Sequence, residues 1–96
     1  MQTIFTVTTV RLTNDTRCVG WFSSFKEAQF HVVNNYGDIN EAEHWHYCVI
    51  EKIRGNTFYP CPPEKEWWYR WNRKEDKYKR SNKPDSFKNV VNFGIG

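Results

Sequence analysis

Long apolar runs and paired cysteines are missing from this 96-residue sequence. Its three cysteines are an odd number with no C-x-x-C pair, which does not favour a disulfide scaffold. No apolar run is long enough to cross a membrane, and residues 1–12 lack the charged and then apolar pattern of a signal peptide. We therefore expect a cytoplasmic protein with free thiols and no membrane association.

Motifs that carry catalysis are also missing. The sequence contains no G-x-S-x-G elbow, no glycine-rich phosphate loop and no H-E-x-x-H motif. A serine or cysteine nucleophile needs a histidine base and an orienting acid, and His31, His44 and His46 form no such pattern. The sequence therefore predicts a protein that is not an enzyme and uses no cofactor.

Strong positive charge is lacking as well, since the net charge is only +3. There is no RNP-like motif, helix-turn-helix or zinc-finger spacing, so duplex nucleic acid is not the expected partner. The charge is nevertheless uneven, because residues 1–63 carry five Lys/Arg against six Asp/Glu and residues 64–96 carry nine against five. This asymmetry would draw a small anion to the C-terminal third of the chain.

Large aromatic side chains, in contrast, are abundant, with 7 Phe, 5 Trp and 5 Tyr. Such side chains can fill a core with few residues. A chain of 96 residues is long enough for one modest core and too short for two. Residues 1–96 are therefore expected to form a single domain.

The first part of the chain combines a strand pattern with a clear helix pattern. Residues 3–12 and 17–22 are rich in β-branched and apolar residues and flank turn residues, which predicts a hairpin. Ser24 and Glu27 have the spacing of a capping box. The apolar stripe that follows them predicts the main helix, at about residues 24–36.

The second part of the chain predicts further strands. Residues 44–54 are apolar on both faces, as in a central strand, and residues 67–72 and 77–80 predict a hairpin around a polar turn. Residues 84–91 predict a short C-terminal helix. The expected fold is therefore α+β, with one main helix packed on a mainly antiparallel sheet. Two shorter segments are predicted to be extended: residues 57–59 and 92–96.

The aromatic and basic residues are concentrated in WWYRWNRKEDKYKR, residues 67–80. Flat rings among guanidinium and ammonium groups suit a ligand that is planar and anionic, such as a nucleotide. Trp68 or Trp71 would stack on the base, while the cations would contact phosphates. The candidate ligand-binding residues are Trp68, Arg70, Trp71, Arg73, Lys79 and Arg80.

The same stretch also has a purely structural interpretation. Alternate side chains of a strand point to opposite faces, so Trp67, Tyr69 and Trp71 lie on one face and Trp68 and Arg70 on the other. In this interpretation the odd-numbered aromatic residues are core. Only the face that stays open can bind a ligand, and the sequence does not decide which face this is.

A metal site is a third alternative, based on the pattern His44-x-His46-x-Cys48. In a strand these side chains share a face, and two histidines so placed can chelate a zinc or iron ion. His44 and Cys48 would lie about 13 Å apart in a strand, too far to share one metal ion. A metal-dependent enzyme built on His44 and His46 therefore needs a further ligand from elsewhere, and imidazoles that cap a strand edge are the simpler interpretation.

Three stretches together resemble a family of small proteins from phages, prophages and bacteria: VGWFSSFKEAQFHVVNNYGDINEAEHWHYCVIEKI, EWWYRWNRKEDKYKR and KPDSFKNVVNFGIG. The family has a V-I-E strand, a WYKW-like aromatic strand and a K-P-x-x-F-x-x-V-x-N-F-x-I-G tail. The resemblance runs from Val19 to Gly96. It implies a phage-linked, intracellular origin and no known enzyme activity, and it carries over no functional residues. The His44/His46 pair is not matched in the family.

These observations lead to one main hypothesis and one alternative from another class. Small phage proteins often counter host defence, and some sequester nucleotide immune signals, so the main hypothesis is a non-catalytic protein that sequesters a nucleotide-like anion. Such sites commonly lie between protomers, which predicts a homo-oligomer. The alternative is an inhibitor that docks on a host defence protein through exposed Trp, Tyr and Arg side chains.

Overall fold

The computed structural model describes residues 3–11, 15–55 and 61–95. The predicted α+β class is confirmed, since these residues form a five-stranded sheet, one α-helix and one 3-10 turn. The elements are β1 (Thr3–Val10), β2 (Thr16–Phe22), α1 (Phe25–Val33), β3 (Tyr47–Arg54), β4 (Lys65–Asn72), β5 (Lys77–Ser81) and the 3-10 turn (Asp85–Phe87).

The sheet has the strand order β2-β1-β3-β4-β5, and every neighbouring pair is antiparallel. Both predicted hairpins are present, and β3 is the central strand. It begins at Tyr47 rather than at residue 44, because the preceding segment turns repeatedly. Asp38, Glu41, Ala42 and Glu43 all have positive φ angles there, so this segment cannot continue the extended backbone of a strand.

α1 begins as the capping box predicts, because the Ser24 hydroxyl accepts a hydrogen bond from the Glu27 amide at 3.2 Å. The helix ends at Val33, three residues before the predicted end. Asn35 explains the difference. Its backbone is left-handed, with φ 45°, and its side-chain oxygen accepts the Asn40 amide at 3.0 Å. This link turns the chain away from the helix axis.

One face of the sheet packs on α1. Ala28 and Val32 of the helix are fully buried against it. Tyr78 is buried on this face, and its hydroxyl donates to the Trp45 carbonyl oxygen at 2.7 Å. The structural interpretation of the odd-numbered aromatic residues of β4 is confirmed for Tyr69, which is fully buried. The buried sheet residues on this face are Val7, Cys48, Ile50, Tyr69 and Tyr78, with Trp67 and Trp71 partly buried beside them.

Residues 82–95 cross the opposite face of the sheet, and we call them the strap. Phe87 and Phe93 of the strap are buried against Trp68, Val49 and Val10. The predicted helix at residues 84–91 is reduced to the 3-10 turn (Asp85–Phe87). The prediction that residues 92–96 are extended is wrong for 92–95, because Asn92 is buried with φ 55° and the three residues after it form a turn.

Glu51 of β3 anchors the strap. Its buried carboxylate accepts hydrogen bonds from the backbone amides of Phe93 and Gly94, at 3.0 and 3.1 Å. Burial raises the pKa of Glu51, and these amide donors act in the opposite direction. A second link joins Lys83 to Glu66 at 3.2 Å. The strap is therefore held by polar contacts as well as by aromatic packing.

The free energy of unfolding should depend on pH through Glu51. The folded chain binds this proton more tightly than the unfolded chain, so the contribution is complete below the ordinary glutamate pKa of 4.5 and is lost as the pH rises through the raised value. Glu51→Gln cannot titrate. Its stability penalty relative to wild type should therefore shrink as the pH rises, as measured by urea unfolding at several pH values. A penalty that grows with pH would contradict the raised pKa.

The predicted strand at residues 57–59 lies outside the described residues. Within the described ranges, no helix is both long enough and apolar enough to cross a membrane. All six described elements of the sheet and helix contribute to the core around β3. Of the predicted site residues, Trp68 lies in this core, and the other five line a cavity at the β4–β5 hairpin.

Candidate functional site

The structure excludes Trp68 from a ligand site. Trp68 is only 3% exposed, with its ring stacked on Phe87 at 6.0 Å and edge-on to Phe93 at 5.2 Å. Its indole N–H donates to the Glu66 carboxylate at 2.9 Å. The prediction that Trp68 stacks on a base is therefore wrong, because the strap covers its ring and Glu66 of β4 accepts its indole N–H.

Beyond Trp68 the strap-side face of the sheet is no longer buried. The register pairs Tyr47 with Arg70 and Arg70 with Lys79, so these three residues form a row across β3, β4 and β5. Neighbouring members of such a row are about 4.8 Å apart along the hydrogen-bonding direction. Arg70 and Lys79 are exposed, whereas Tyr47 is half-buried against Phe87. The row is therefore a ring followed by two cations.

A cavity of about 520 Å³ opens at this row and continues around the β4–β5 turn. We call this surface the basic face. Among the described residues that line its cavity there is no carboxylate, thiol or imidazole. The lining offers five cations, one amide, one hydroxyl and one indole ring. The lining residues are Arg70, Trp71, Asn72, Arg73, Lys74, Lys79, Arg80 and Ser81.

The cations of the basic face differ in their partners. Lys79 forms an ion pair with Glu75, and Arg73 forms one with Glu43 at 2.9 Å. Exposed ion pairs of this kind are weak, and a phosphate can displace them. Within the described ranges, Arg70 forms no ion pair. Its guanidinium instead lies 6.0 Å from the centre of the Tyr47 ring.

Arg80 and Trp71, two of the predicted site residues, lie outside the row. The Arg80 guanidinium lies over Tyr69 at 5.7 Å, on the helix side of the sheet, while Arg70 and Lys79 point to the strap side. Trp71 is half-buried on the helix side, and its indole N–H donates to Glu43 at 3.2 Å. Both residues line the rim of the cavity, but neither belongs to the row.

A second cavity, of about 250 Å³, adjoins the first and shares Arg70, Trp71 and Arg73 with it. Its other lining residues are Glu43, His46 and Tyr47. Sequence reasoning missed Tyr47 as a site residue. The available signal was strand alternation, since Tyr47 lies two residues before Val49 and so on the same face, but only the pairing of β3 with β4 places it beside Arg70.

The predicted metal site requires His44 and His46 to lie in a strand, but β3 begins only at Tyr47. His44 and His46 precede β3, and His44 contacts Arg11. Cys48 is buried in the core on the helix side, where burial raises the pKa of its thiol. Among the residues that the structure describes, no three metal-ligating side chains come together.

No family model, curated protein or solved structure matches the chain. The candidate site is therefore characterised by its own geometry. The row of Tyr47, Arg70 and Lys79 lies on three paired strands, which hold its backbone rigidly. Such a surface can bind a planar anion by contact with a ring and by charge-assisted hydrogen bonds.

Proposed function

We propose that this chain is a non-catalytic binding protein that sequesters a small nucleotide-like anion on the basic face. The observation that carries the proposal is the row of Tyr47, Arg70 and Lys79. Its central guanidinium has no ion pair among the described residues and lies between a ring and a second cation. The cavity of about 520 Å³ is of the size that small-molecule sites usually have.

The residues of the basic face have different roles in this proposal. Arg70 and Arg73 contact phosphate oxygens, and a guanidinium can do so with two parallel hydrogen bonds. Lys79 adds a third cation once the phosphate replaces Glu75 as its partner. The base packs against the exposed part of Tyr47, since Trp68 is covered by the strap. Burial of a base on one ring contributes about 1–3 kcal/mol to binding.

The proposed biological role is counter-defence. The resemblance to small phage and prophage proteins supports a phage-linked origin and action in the host cytoplasm. The open geometry of the basic face supports a homo-oligomer, because a second protomer over this face would enclose the ligand and exclude water. In that role the protein lowers the free concentration of a nucleotide signal without chemical change to it.

Charge reversal at Arg70 should weaken nucleotide binding without loss of the fold. In Arg70→Glu, a charge-assisted contact is replaced by repulsion, so the dissociation constant should rise by about 10-fold to 100-fold. The probes are ATP, cyclic AMP and cyclic di-AMP, measured by thermal shift and by quenching of tryptophan fluorescence.

Lys26→Glu is the matched control, since it makes the same change of charge on exposed α1, on the other side of the sheet. It should bind the probes as the wild type does. If none of the probes raises the melting temperature of the wild type, or if both variants lose binding equally, the basic face is not a specific nucleotide site.

A protein–protein inhibitor is the second candidate, and exposed aromatic residues favour it. Trp21 is 61% exposed on the strap side of β2, at the edge of the sheet far from β5. Exposed Trp side chains are frequent anchors in protein interfaces. In this alternative, Trp21→Ala abolishes capture of the host protein, whereas Arg70→Glu leaves it unchanged.

A further inference from the structure

A separate cavity lies at the opposite edge of the sheet from the basic face, between β2 and the C-terminal end of α1. Its volume is about 550 Å³, and we call it the α1–β2 cleft. Most of its lining is apolar or aromatic, in contrast to the basic face. The residues that define it are Val7, Val19, Phe22, His31, Tyr36 and Ile39.

An irregularity in β2 shapes the cleft. Val7 pairs with Gly20 and the next residue, Thr8, pairs with Cys18, so Val19 is an extra residue in the ladder. Such a bulge bends its strand and increases its local twist. Gly20 contributes no side chain beside Val7. The bulge at Val19 and the missing side chain at Gly20 therefore leave an open space between β2 and the end of α1.

One wall of the cleft is aromatic. The His31 ring lies 4.5 Å from the Phe22 ring and 4.8 Å from the Tyr36 ring, measured between centres. Nδ1 of His31 lies 2.9 Å from the Glu27 carbonyl oxygen. A carbonyl oxygen only accepts, so Nδ1 carries the proton and Nε2 is the acceptor of the neutral ring.

The charge in the cleft is already balanced. Arg17, the cation of its lining, forms an ion pair with Glu41 and donates to the Ile39 carbonyl oxygen at 3.2 Å. An anionic ligand would have to displace both partners, and a cationic ligand would meet the guanidinium. The chemistry of the cleft therefore suits an uncharged molecule.

We propose that the α1–β2 cleft binds a small, uncharged, planar aromatic molecule that donates one hydrogen bond to Nε2 of His31. The apolar lining supplies the affinity, the aromatic wall favours a flat ring, and His31 selects a ligand with an N–H or O–H group. This site is independent of the proposed nucleotide site, because the two lie at opposite edges of the sheet.

Cys18 provides a direct reporter, because it is exposed and lines the cleft. N-methylmaleimide alkylates an accessible thiol, so a ligand in the cleft should slow this reaction at Cys18. Cys61, which does not line the cleft, is the control within the same chain. The probe ligands are indole and 1-methylindole, which are both flat and uncharged but differ in the N–H donor.

Indole should slow alkylation of Cys18 with a saturable dependence on its concentration and leave the rate at Cys61 unchanged, as followed by peptide mass spectrometry. About 3-fold to 10-fold more 1-methylindole should be needed, which is the contribution of one hydrogen bond. A rate at Cys18 that does not change with indole would overturn the site. Equal protection by the two molecules would overturn the role of His31.

Substitution of two exposed aromatic residues distinguishes binding in the cleft from weak adsorption of indole to the protein surface. Tyr36→Ala removes part of the aromatic wall and should abolish the protection of Cys18. Trp21→Ala removes an exposed ring of β2 outside the lining, on the strap side of the sheet, and should retain it. Both residues are more than half exposed, so both variants should fold. Protection that persists in Tyr36→Ala would refute the proposed site.

Discussion

Glu51→Ala is expected to lower the free energy of unfolding by about 3 kcal/mol, because it leaves two backbone donors without an acceptor. The carboxylate accepts the amides of Phe93 and Gly94 and is itself fully buried. Each buried donor that loses its partner costs about 1–3 kcal/mol, and the cavity left by the side chain adds to this. For a domain of this size the melting temperature should fall by more than 10 °C, roughly.

The strap should be the first part to loosen in Glu51→Ala. Its release would expose Trp68, so the tryptophan emission should shift to longer wavelength before the sheet unfolds. Glu75→Ala is the matched control, since Glu75 is an exposed glutamate in a surface pair with Lys79. It should leave the stability nearly unchanged, because an exposed ion pair contributes little. Similar losses in the two variants would show that Glu51 does not anchor the strap.

The parts of the fold that local signals specify were predictable from the sequence. The capping box of Ser24 and Glu27 locates the start of α1, and the two hairpins follow from alternating segments around polar turns. The end of α1 was not predictable in the same way. It depends on the side chain of Asn35, which bonds to Asn40 after the chain has turned.

The strap was the main feature that local signals could not reveal. Alternation in β4 separates Trp68 from Tyr69, but it does not say that a segment some twenty residues later covers Trp68. A glutamate in an apolar strand was equally uninformative by itself. Glu51 can be buried because its carboxylate oxygens accept hydrogen bonds from the strap amides. These bonds join residues that are distant in sequence.

The same long-range packing sets the limits of the basic face. The strap buries Trp68 but leaves the next strap-side residue of β4, Arg70, exposed. Five of the six predicted site residues, all except Trp68, therefore line one cavity, and Tyr47 of β3 lies beside Arg70. Composition indicated the stretch of chain that lines this cavity, while strand pairing determined which of its residues lie side by side.

The fit of the strap also depends on a glycine. A Cβ atom at Gly94 would lie 2.9 Å from Oγ1 and 3.0 Å from Cβ of Thr6, and 3.2 Å from Oγ1 of Thr8. Thr6 and Thr8 are buried in β1, which is paired on both sides, so they have little freedom to move. An added methyl group must therefore push the strap away from the sheet, and the amide of Gly94 away from Glu51.

Gly94→Ala is expected to destabilise the fold by about 2 kcal/mol, the usual cost of one extra group in a well-packed interior. Gly20→Ala is the matched control, because its Cβ would meet the Phe22 ring at an ordinary 3.6 Å. That variant should be neutral or more stable by about 0.5 kcal/mol, since alanine restricts the unfolded chain. The two changes are chemically identical, but only Gly94→Ala should lower the free energy of unfolding measured in urea. Equal stabilities for the two variants would mean that the strap does not pack closely on β1.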